Sequence, residues 1–267
     1  MHIEVRTENI TPEKAEKYLN ENKGNRKLRD GIVEKYAYDM KHGKWTECPV
    51  PITFYDNGDV ADGQHRLWAI VESGCTTQFL VARGLPQEAG LNLDSGLPRS
   101  LVDNARISGI NTHLSNAMLS ASRFYMEGGI QRHTLSNARK MEFVDTCREP
   151  IGWTLERLHG RGFLNAPTAA AIARAYASGV DKERLEQFVA VLTKGFSNGV
   201  EDAAAIALRN YIMSRGSNIS KIDARDYFLK AQNAIVYFLK RKPLNLIKTV
   251  KEEAFPLKSS QVGGKKR

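Results

Sequence analysis

A change of sequence pattern at Pro98 constrains the fold of this chain more than any other feature. Before Pro98, short apolar stretches of the strand type lie between segments with helical periodicity. From residue 99 to 250 the sequence shows only helical patterns, separated by short breaks rich in Gly, Pro, Ser and Asn. We therefore predict an α+β protein, in which a small mixed-sheet α/β domain over residues 1–98 precedes an all-α domain over residues 99–250. The basic segment 251–267, which ends in Lys-Lys-Arg after two glycines, is expected to be a disordered tail.

Local signals place the elements of both domains. Thr11 followed by Pro12 is typical of a helix start. Gly43 and Gly74 are expected to end two further helices, because glycine adopts the left-handed conformation that closes a helix. The predicted helices of the first domain are 12–22, 29–42 and 64–73, and its predicted strands are 2–6, 51–55, 59–61 and 78–82, with a hairpin-type turn at Asp56-Asn57-Gly58. The clearest predicted helices of the second domain are 169–177, 185–192, 203–213 and 224–239.

Charge and cysteine content indicate the compartment and the kind of partner. The chain has 267 residues and a formal net charge of +9, which favours a polyanionic partner, namely nucleic acid, a nucleotide or an acidic membrane surface, although solubility alone would also explain it. No apolar run approaches the roughly 20 residues of a membrane span, and no secretory signal is evident at the N-terminus. Cys48, Cys75 and Cys147 lie far apart without a CxxC spacing, as expected of free thiols in a reducing compartment. We therefore expect a cytoplasmic protein without a membrane partner.

Several polar residues lie where a short strand is predicted to meet a helix. The sequence D-V-A-D-G-Q-H-R places Asp62, Gly63, Gln64, His65 and Arg66 at this junction. Gly63 allows close backbone approach, and the N–H groups at the start of the following helix favour an anion. The Arg66 guanidinium matches phosphate oxygens, the His65 ring can move a proton, and the Asp62 carboxylate can hold a divalent metal or act as a base. The pattern predicts a nucleotide-phosphate cradle; the alternative is that Asp62 only caps the helix.

The order and spacing of these elements resemble the N-terminal domain of the ParB/sulfiredoxin superfamily, including phage ParB-like proteins and the "DGQHR" proteins associated with DNA sulfur modification. The resemblance covers about residues 25–84 and rests on the Asn25-Arg26 turn, the helix 29–42 ending at Gly43, the strand 51–55 and the element Gly63-Gln64-His65-Arg66. It implies a nucleoside triphosphate, ATP or CTP, bound with Mg²⁺. Gly63, Gln64, His65 and Arg66 would lie at its phosphates, with Asn25 and Arg26 across the pocket. Gln64 stands in place of the cysteine that sulfiredoxin uses, and His65-Arg66 in place of ParB's paired arginines.

Further candidate residues lie outside this element. Asp94 could hold a metal and Arg99 could reach a phosphate, although a turn followed by a capped helix explains the segment equally well. Trp45 and Trp68 could stack a base or pack in the core. Near the end of the last predicted helix, Lys230 and the Lys240-Arg241-Lys242 run could form a DNA-facing ridge or only complement the helix dipole.

The leading functional hypothesis is a nucleotide-binding ParB-like protein that acts with DNA, of the phage or mobile-element type. It would hydrolyse or transfer a phosphate with Mg²⁺, using Asp62 or His65 for proton transfer or metal binding. A first alternative is a DNA-binding regulatory module without turnover. A second is a metal-dependent nuclease that uses Asp62, His65 and Asp94. A homodimer and a monomer are equally compatible with the sequence.

Overall fold

A four-stranded mixed sheet and eleven α-helices make up the part of the chain that the structure describes. In this computed structural model the described residues are 3–20, 28–93, 99–109, 113–130, 134–160, 162–197, 199–215, 224–244 and 246–257. Contacts divide the chain into a first unit, Met1–Arg99 with Arg132–Ala138, and a second unit, Ser100–Gln131 with Arg139–Arg267. The predicted α+β class is confirmed.

The sheet lies in the first unit and has the strand order β1-β4-β2-β3. Strands β1 (Glu4–Ile10) and β4 (Thr77–Leu85) pair antiparallel, β4 and β2 (Ile52–Tyr55) pair parallel, and β2 and β3 (Val60–Asp62) pair antiparallel. All four predicted strands are present, and β1 and β4 extend beyond their predicted ends. The parallel pairing of β2 with β4 requires the intervening chain to cross over, and that crossover contains the strand–helix junction predicted as a site.

Three helices pack with the sheet around one core. They are α1 (Pro12–Asn20), α2 (Asp30–Lys41) and α3 (Gln64–Ser73), and α3 contacts both of the others. Helix α3 has its predicted bounds and is closed by Gly74 in the left-handed conformation. The buried apolar side chains of this core are Ile10, Ala15, Val33, Ala37, Met40, Ile52, Phe54, Val60, Leu67, Ala69, Ile70, Phe79 and Val81. A short 3-10 helix (Gln87–Asn92) follows β4.

A partly buried ionic cluster joins β1 to α1 and β4. The Glu8 carboxylate accepts hydrogen bonds from Arg83, from Lys14 Nζ at 2.7 Å and from the Tyr18 hydroxyl at 3.2 Å. Arg83 also donates to the Tyr18 hydroxyl at 2.8 Å. Burial alone would raise the pKa of Glu8, but the hydrogen bonds from Arg83 and Lys14, together with their charges, outweigh burial and lower this pKa to about 2.

We expect the fold to lose stability as the pH falls from about 4.5 to about 2, because Glu8 must then bind a proton and give up its cations. A carboxyl group with a lower pKa in the folded state stabilises the protein above its unfolded pKa, and this contribution disappears below its folded pKa. Urea unfolding of the wild type and Glu8→Gln over this range measures the effect. The difference in the free energy of unfolding should be large at pH 7 and small near pH 2, whereas Glu16→Gln, at an exposed position on α1, should differ little throughout. A difference for Glu8→Gln that does not change with pH would contradict the assignment.

Eight helices follow Arg99 in the described part of the chain, and no strand is found there, as predicted. None of the described helices is long and apolar enough to cross a membrane. The eight are α4 (Leu101–Ile107), α5 (Asn116–Glu127), α6 (Asn137–Thr146), α7 (Arg148–Arg157), α8 (Ala166–Ala177), α9 (Lys182–Lys194), α10 (Ala203–Arg215) and α11 (Ala224–Leu239), with a 3-10 turn at Val200–Asp202 before α10.

Helix α8 forms the centre of the second unit. It is buried continuously from Pro167 to Ala175, and its alanine side chains allow α5, α7 and α11 to approach closely. Arg174 is the one charged side chain in this buried stretch, and its guanidinium donates to the Tyr125 carbonyl at 2.7 Å and to Glu253 at 2.6 Å. Burial lowers the pKa of Arg174, and the Glu253 charge opposes this shift.

Residues 246–257 belong to the same packed unit. Glu253 accepts hydrogen bonds from Arg174 and also from Arg225 at 3.3 Å, and Phe255 is buried. The Gln232 side-chain oxygen accepts hydrogen bonds from the backbone N–H groups of Ala254 and Phe255. Residues 251–257, which the sequence analysis assigns to the tail, therefore pack against the helices, and residues 258–267 lie outside the described part of the chain.

We expect Glu253→Ala to lower the free energy of unfolding by about 3 kcal/mol, because it leaves the buried Arg174 without its counter-charge. Glu252→Ala is the matched control, since Glu252 is the preceding residue and is exposed. Its effect should stay within about 0.5 kcal/mol. Denaturant unfolding measures both variants, and equal effects would show that the Arg174–Glu253 pair does not stabilise the second unit.

Candidate functional site

The junction between β3 and α3 depends on Gly63. Its φ angle is +106°, in the left-handed region, and a Cβ atom at this position would lie 3.0 Å from Ile52 Cγ1 and 3.3 Å from Ile52 Cα. A glycine is therefore needed both for the backbone conformation and for the close approach of the chain to β2. Gly63 itself is the N-cap residue of α3, and no side chain caps the helix. The structure therefore does not support the alternative in which Asp62 caps α3.

The Arg66 guanidinium fastens this junction to the chain that leads into β2. Its Nη1 donates to the Val50 carbonyl at 2.5 Å, and its Nη2 donates to the Pro51 carbonyl and to Asp62 Oδ2, each at 2.9 Å. The Arg66 side chain is only 12% exposed. The residue predicted to bind phosphate therefore also has a structural role, and a phosphate would compete with Asp62 for it.

His65 connects α3 to the start of α2. The His65 ring is buried, and its Nε2 accepts a hydrogen bond from the backbone N–H of Arg29, the N-cap residue of α2, at 3.2 Å. This bond satisfies one of the unpaired donors of a helix start and places the ring proton on Nδ1. Gln64 is buried beside it. His65 therefore positions α2 against α3, whatever further role its ring has.

A cleft of about 560 Å³ opens beside this junction in the first unit. It brings Asp62, Gly63, His65 and Arg66 together with side chains from α2 and from the segment that follows α2. The lysines are Lys35 and Lys44, the aromatic residues are Tyr36 and Trp45, and the remaining lining residues are Ile32, Asp39, Thr46, Cys48, Val50, Asn137 and Ala138.

Four residues that line the cleft are not among the predicted site residues: Lys35, Tyr36, Asp39 and Lys44. The first three lie on α2 at positions i, i+1 and i+4, a spacing that puts them on one side of the helix. That spacing was available in the sequence, but α2 also carries the apolar residues Val33, Ala37 and Met40 of the core, so the sequence alone did not show that a second face lines a cleft.

Asp39 is a buried carboxylate at the cleft. Its Oδ1 accepts a hydrogen bond from the Ser136 hydroxyl at 2.7 Å. Burial raises the pKa of Asp39, while the Ser136 hydrogen bond and the charges of Lys35, Lys44 and His42 oppose this shift. The two lysines thus partly compensate a carboxylate that would otherwise repel an anion.

Trp45 lines the cleft and also packs in the core, where its ring contacts Tyr36 and Phe79. Its indole Nε1 is buried without a hydrogen-bond partner in the described structure. Trp68 is 39% exposed and does not line the cleft. Of the two tryptophans considered for base stacking, Trp45 is therefore the one placed to contact a ligand.

Of the remaining predicted site residues, Gln64 and Arg99 lie in the described part of the chain, and neither lines the cleft. Asn25, Arg26 and Asp94 lie outside the described residues. Arg99 is exposed and is not among the lining residues. It precedes Ser100, which caps α4 in a capping box with Asp103, so this segment agrees with the alternative of a capped helix.

The described residues contain no group of three or more His, Cys, Asp or Glu side chains that could hold a metal ion. No family model matches the sequence, and neither a curated protein nor a solved structure matches it. The geometry alone defines an α+β protein with a polar cleft beside a strand–glycine–helix junction. The resemblance to the ParB/sulfiredoxin superfamily therefore stays a prediction from the sequence.

We expect Arg66→Ala to lower the free energy of unfolding by about 2 kcal/mol, because it leaves the Val50 and Pro51 carbonyls and Asp62 without their donor. The control is Arg148→Ala, since the Arg148–Asp145 ion pair is exposed and should contribute little. Urea unfolding measures both. If Arg66→Ala loses no more stability than Arg148→Ala, the guanidinium does not hold the junction together.

Proposed function

We propose that this chain is a nucleotide-binding ParB-like protein that acts with DNA, and that the nucleotide binds in the cleft of the first unit. One observation supports this proposal above all: the start of α3, two lysines and two aromatic side chains line the same cleft. Its volume of about 560 Å³ falls in the range of small-molecule sites. Amide N–H groups and lysines suit phosphate oxygens, and aromatic rings suit a base.

The phosphates are assigned to the start of α3. There the backbone N–H groups and the helix dipole favour an anion. Lys35 and Lys44 would neutralise phosphate charge from the α2 side of the cleft. ATP or CTP would bring Mg²⁺, since this ion is usually held by substrate phosphates and one or two carboxylates. Asp62 is the carboxylate that fits this role, if the phosphates take its place on Arg66.

The cleft supports binding more directly than turnover. His65 Nε2 already accepts a hydrogen bond, and Asp62 is already paired with Arg66. Neither predicted proton-transfer group is therefore poised as a base in this arrangement. We assign the first unit nucleotide binding as its function and make phosphate hydrolysis, as well as DNA cleavage by a metal-dependent nuclease, outcomes of the test.

The charge distribution supports contact of DNA with the second half of the chain. Residues 100–267 carry 26 basic and 15 acidic side chains, an excess of +11, whereas residues 1–99 carry 13 basic and 15 acidic ones, a charge of −2. Binding to the DNA backbone is favoured by an excess of cations, which residues 100–267 have and residues 1–99 lack. The two binding activities are thus assigned to different parts of the chain.

Thermal unfolding against ATP, CTP, GTP and UTP, each with Mg²⁺, tests the nucleotide site. A ligand at a hundred times its Kd adds about 2.7 kcal/mol, which for a chain of this size raises Tm by roughly 5–10 °C. We expect such a shift for at least one nucleotide, and a much smaller shift in Lys35→Ala and Lys44→Ala. Lys41→Ala is the matched control, because Lys41 lies on α2 but is exposed and does not line the cleft.

A shift that is equal in all four proteins would place the nucleotide elsewhere, and no shift with any nucleotide would overturn the proposed ligand. Fluorescence anisotropy with a labelled DNA duplex at several salt concentrations tests the second activity. DNA affinity without any nucleotide shift would support the non-catalytic DNA-binding module. Phosphate release, or nicking of a plasmid that EDTA abolishes, would show turnover and identify an enzyme.

A further inference from the structure

Strand β1 forms one edge of the sheet. Among the described residues it pairs with β4 alone, so one side of its backbone has no strand beside it. Residues 3–7 are all exposed, and two of them are large apolar side chains, Ile3 at 45% and Val5 at 52% exposure. An exposed edge strand with apolar side chains is a surface on which another strand can pair.

The sequence of this edge is complementary to itself. Glu4 and Arg6 lie on one face of the strand and form an exposed ion pair at 2.9 Å, whereas Ile3, Val5 and Thr7 alternate with them. We infer that β1 pairs antiparallel with β1 of a second copy of this chain, about a two-fold axis that passes through Val5. In that register Glu4 of each protomer lies opposite Arg6 of its partner, and the two Val5 side chains face each other.

The charges select this register over its neighbours. An axis through Arg6 would place two arginines opposite each other and Glu4 opposite Glu8, and an axis through Glu4 would place two glutamates together. A shift by one residue would put the core-facing side of one sheet next to the opposite side of the other. Of the axes through Glu4, Val5 and Arg6, the one at Val5 pairs opposite charges on one face and β-branched side chains, Ile3 with Thr7 and Val5 with Val5, on the other.

The expected product is a continuous eight-stranded sheet across two protomers, with an isologous two-fold interface. The ladder is short, because β1 has seven residues. Interfaces below about 1,200 Å² belong to weak and transient complexes, so the dimer should dissociate on dilution. The inference does not depend on the proposed nucleotide site, since it uses no residue that lines the cleft.

Exchanging the charges of Glu4 and Arg6 tests the inference. Sedimentation equilibrium over a range of protein concentrations measures dimer formation. Wild type should form a concentration-dependent dimer. Arg6→Glu places glutamates opposite each other and should raise the dissociation constant about tenfold or more. The double variant Glu4→Arg/Arg6→Glu restores opposite charges in the same register and should dimerise like the wild type. A wild type that stays monomeric, or a double variant no better than Arg6→Glu, would overturn the inference.

A disulfide tests the position of the axis independently. Val5→Cys, made in a chain with Cys48→Ser and Cys75→Ser, should form a cross-linked dimer under mild oxidation, because directly opposite residues in an antiparallel pair have Cα atoms within disulfide range. Ile3→Cys is the matched control: it lies two residues away and is similarly exposed, but it would face Thr7 of the partner subunit. Equal cross-linking of the two variants would indicate random collision and overturn the register.

Discussion

The cleft of the first unit depends on the bonds that the Arg66 side chain makes. This guanidinium leaves the first turn of α3 and holds the carbonyls of Val50 and Pro51 before β2, together with Asp62 at the end of β3. Gly63 makes this possible, because without a Cβ atom the chain can turn onto Ile52 and start the helix there. One glycine and one arginine therefore fix the crossover from β2 to β4 at the junction of β3 and α3.

The same junction determines where the lysines lie. His65, next to Arg66, accepts the backbone N–H of Arg29 and so fixes the start of α2 against α3. Lys35 lies on α2 and Lys44 lies three residues after its end, so both lysines depend on where α2 is held. The polar residues of the junction thus act first on the fold, and the two cleft lysines come from α2 and from the segment that follows it, neither of which shows a site motif. An anion at the start of α3 would meet an arginine that already has a carboxylate partner, so exchange of that partner is part of the binding equilibrium.

The sequence predicted the elements well where local signals are strong. Helix α3 has its predicted bounds because Gly63 and Gly74 define its ends, and α11 has its predicted bounds because its apolar side is long and continuous. The sequence could not show that Arg66 is used by carbonyls 15 and 16 residues away, because that contact depends on the crossover. For the same reason it missed Asp39 and the two lysines, whose place in the cleft is decided by tertiary packing. The sequence did not predict that residues 251–257 pack against the second unit, because Glu253 and Phe255 contact helices that lie far away along the chain.

The division of charge between the two halves is the reason that we propose different ligands for them. Attraction of a nucleic-acid backbone is favoured by an excess of cations, and residues 100–267 carry a net charge of +11. Residues 1–99 have a charge of −2 and would repel a long polyanion at a distance, yet their cleft concentrates two lysines and a helix start at one point. Such an arrangement favours a single small anion over a polymer, because the local attraction acts within a few ångströms while the net repulsion acts over the Debye length of about 8–10 Å. A free nucleotide would satisfy both conditions, and for this reason we propose separate ligands, a nucleotide for the cleft and DNA for the basic half.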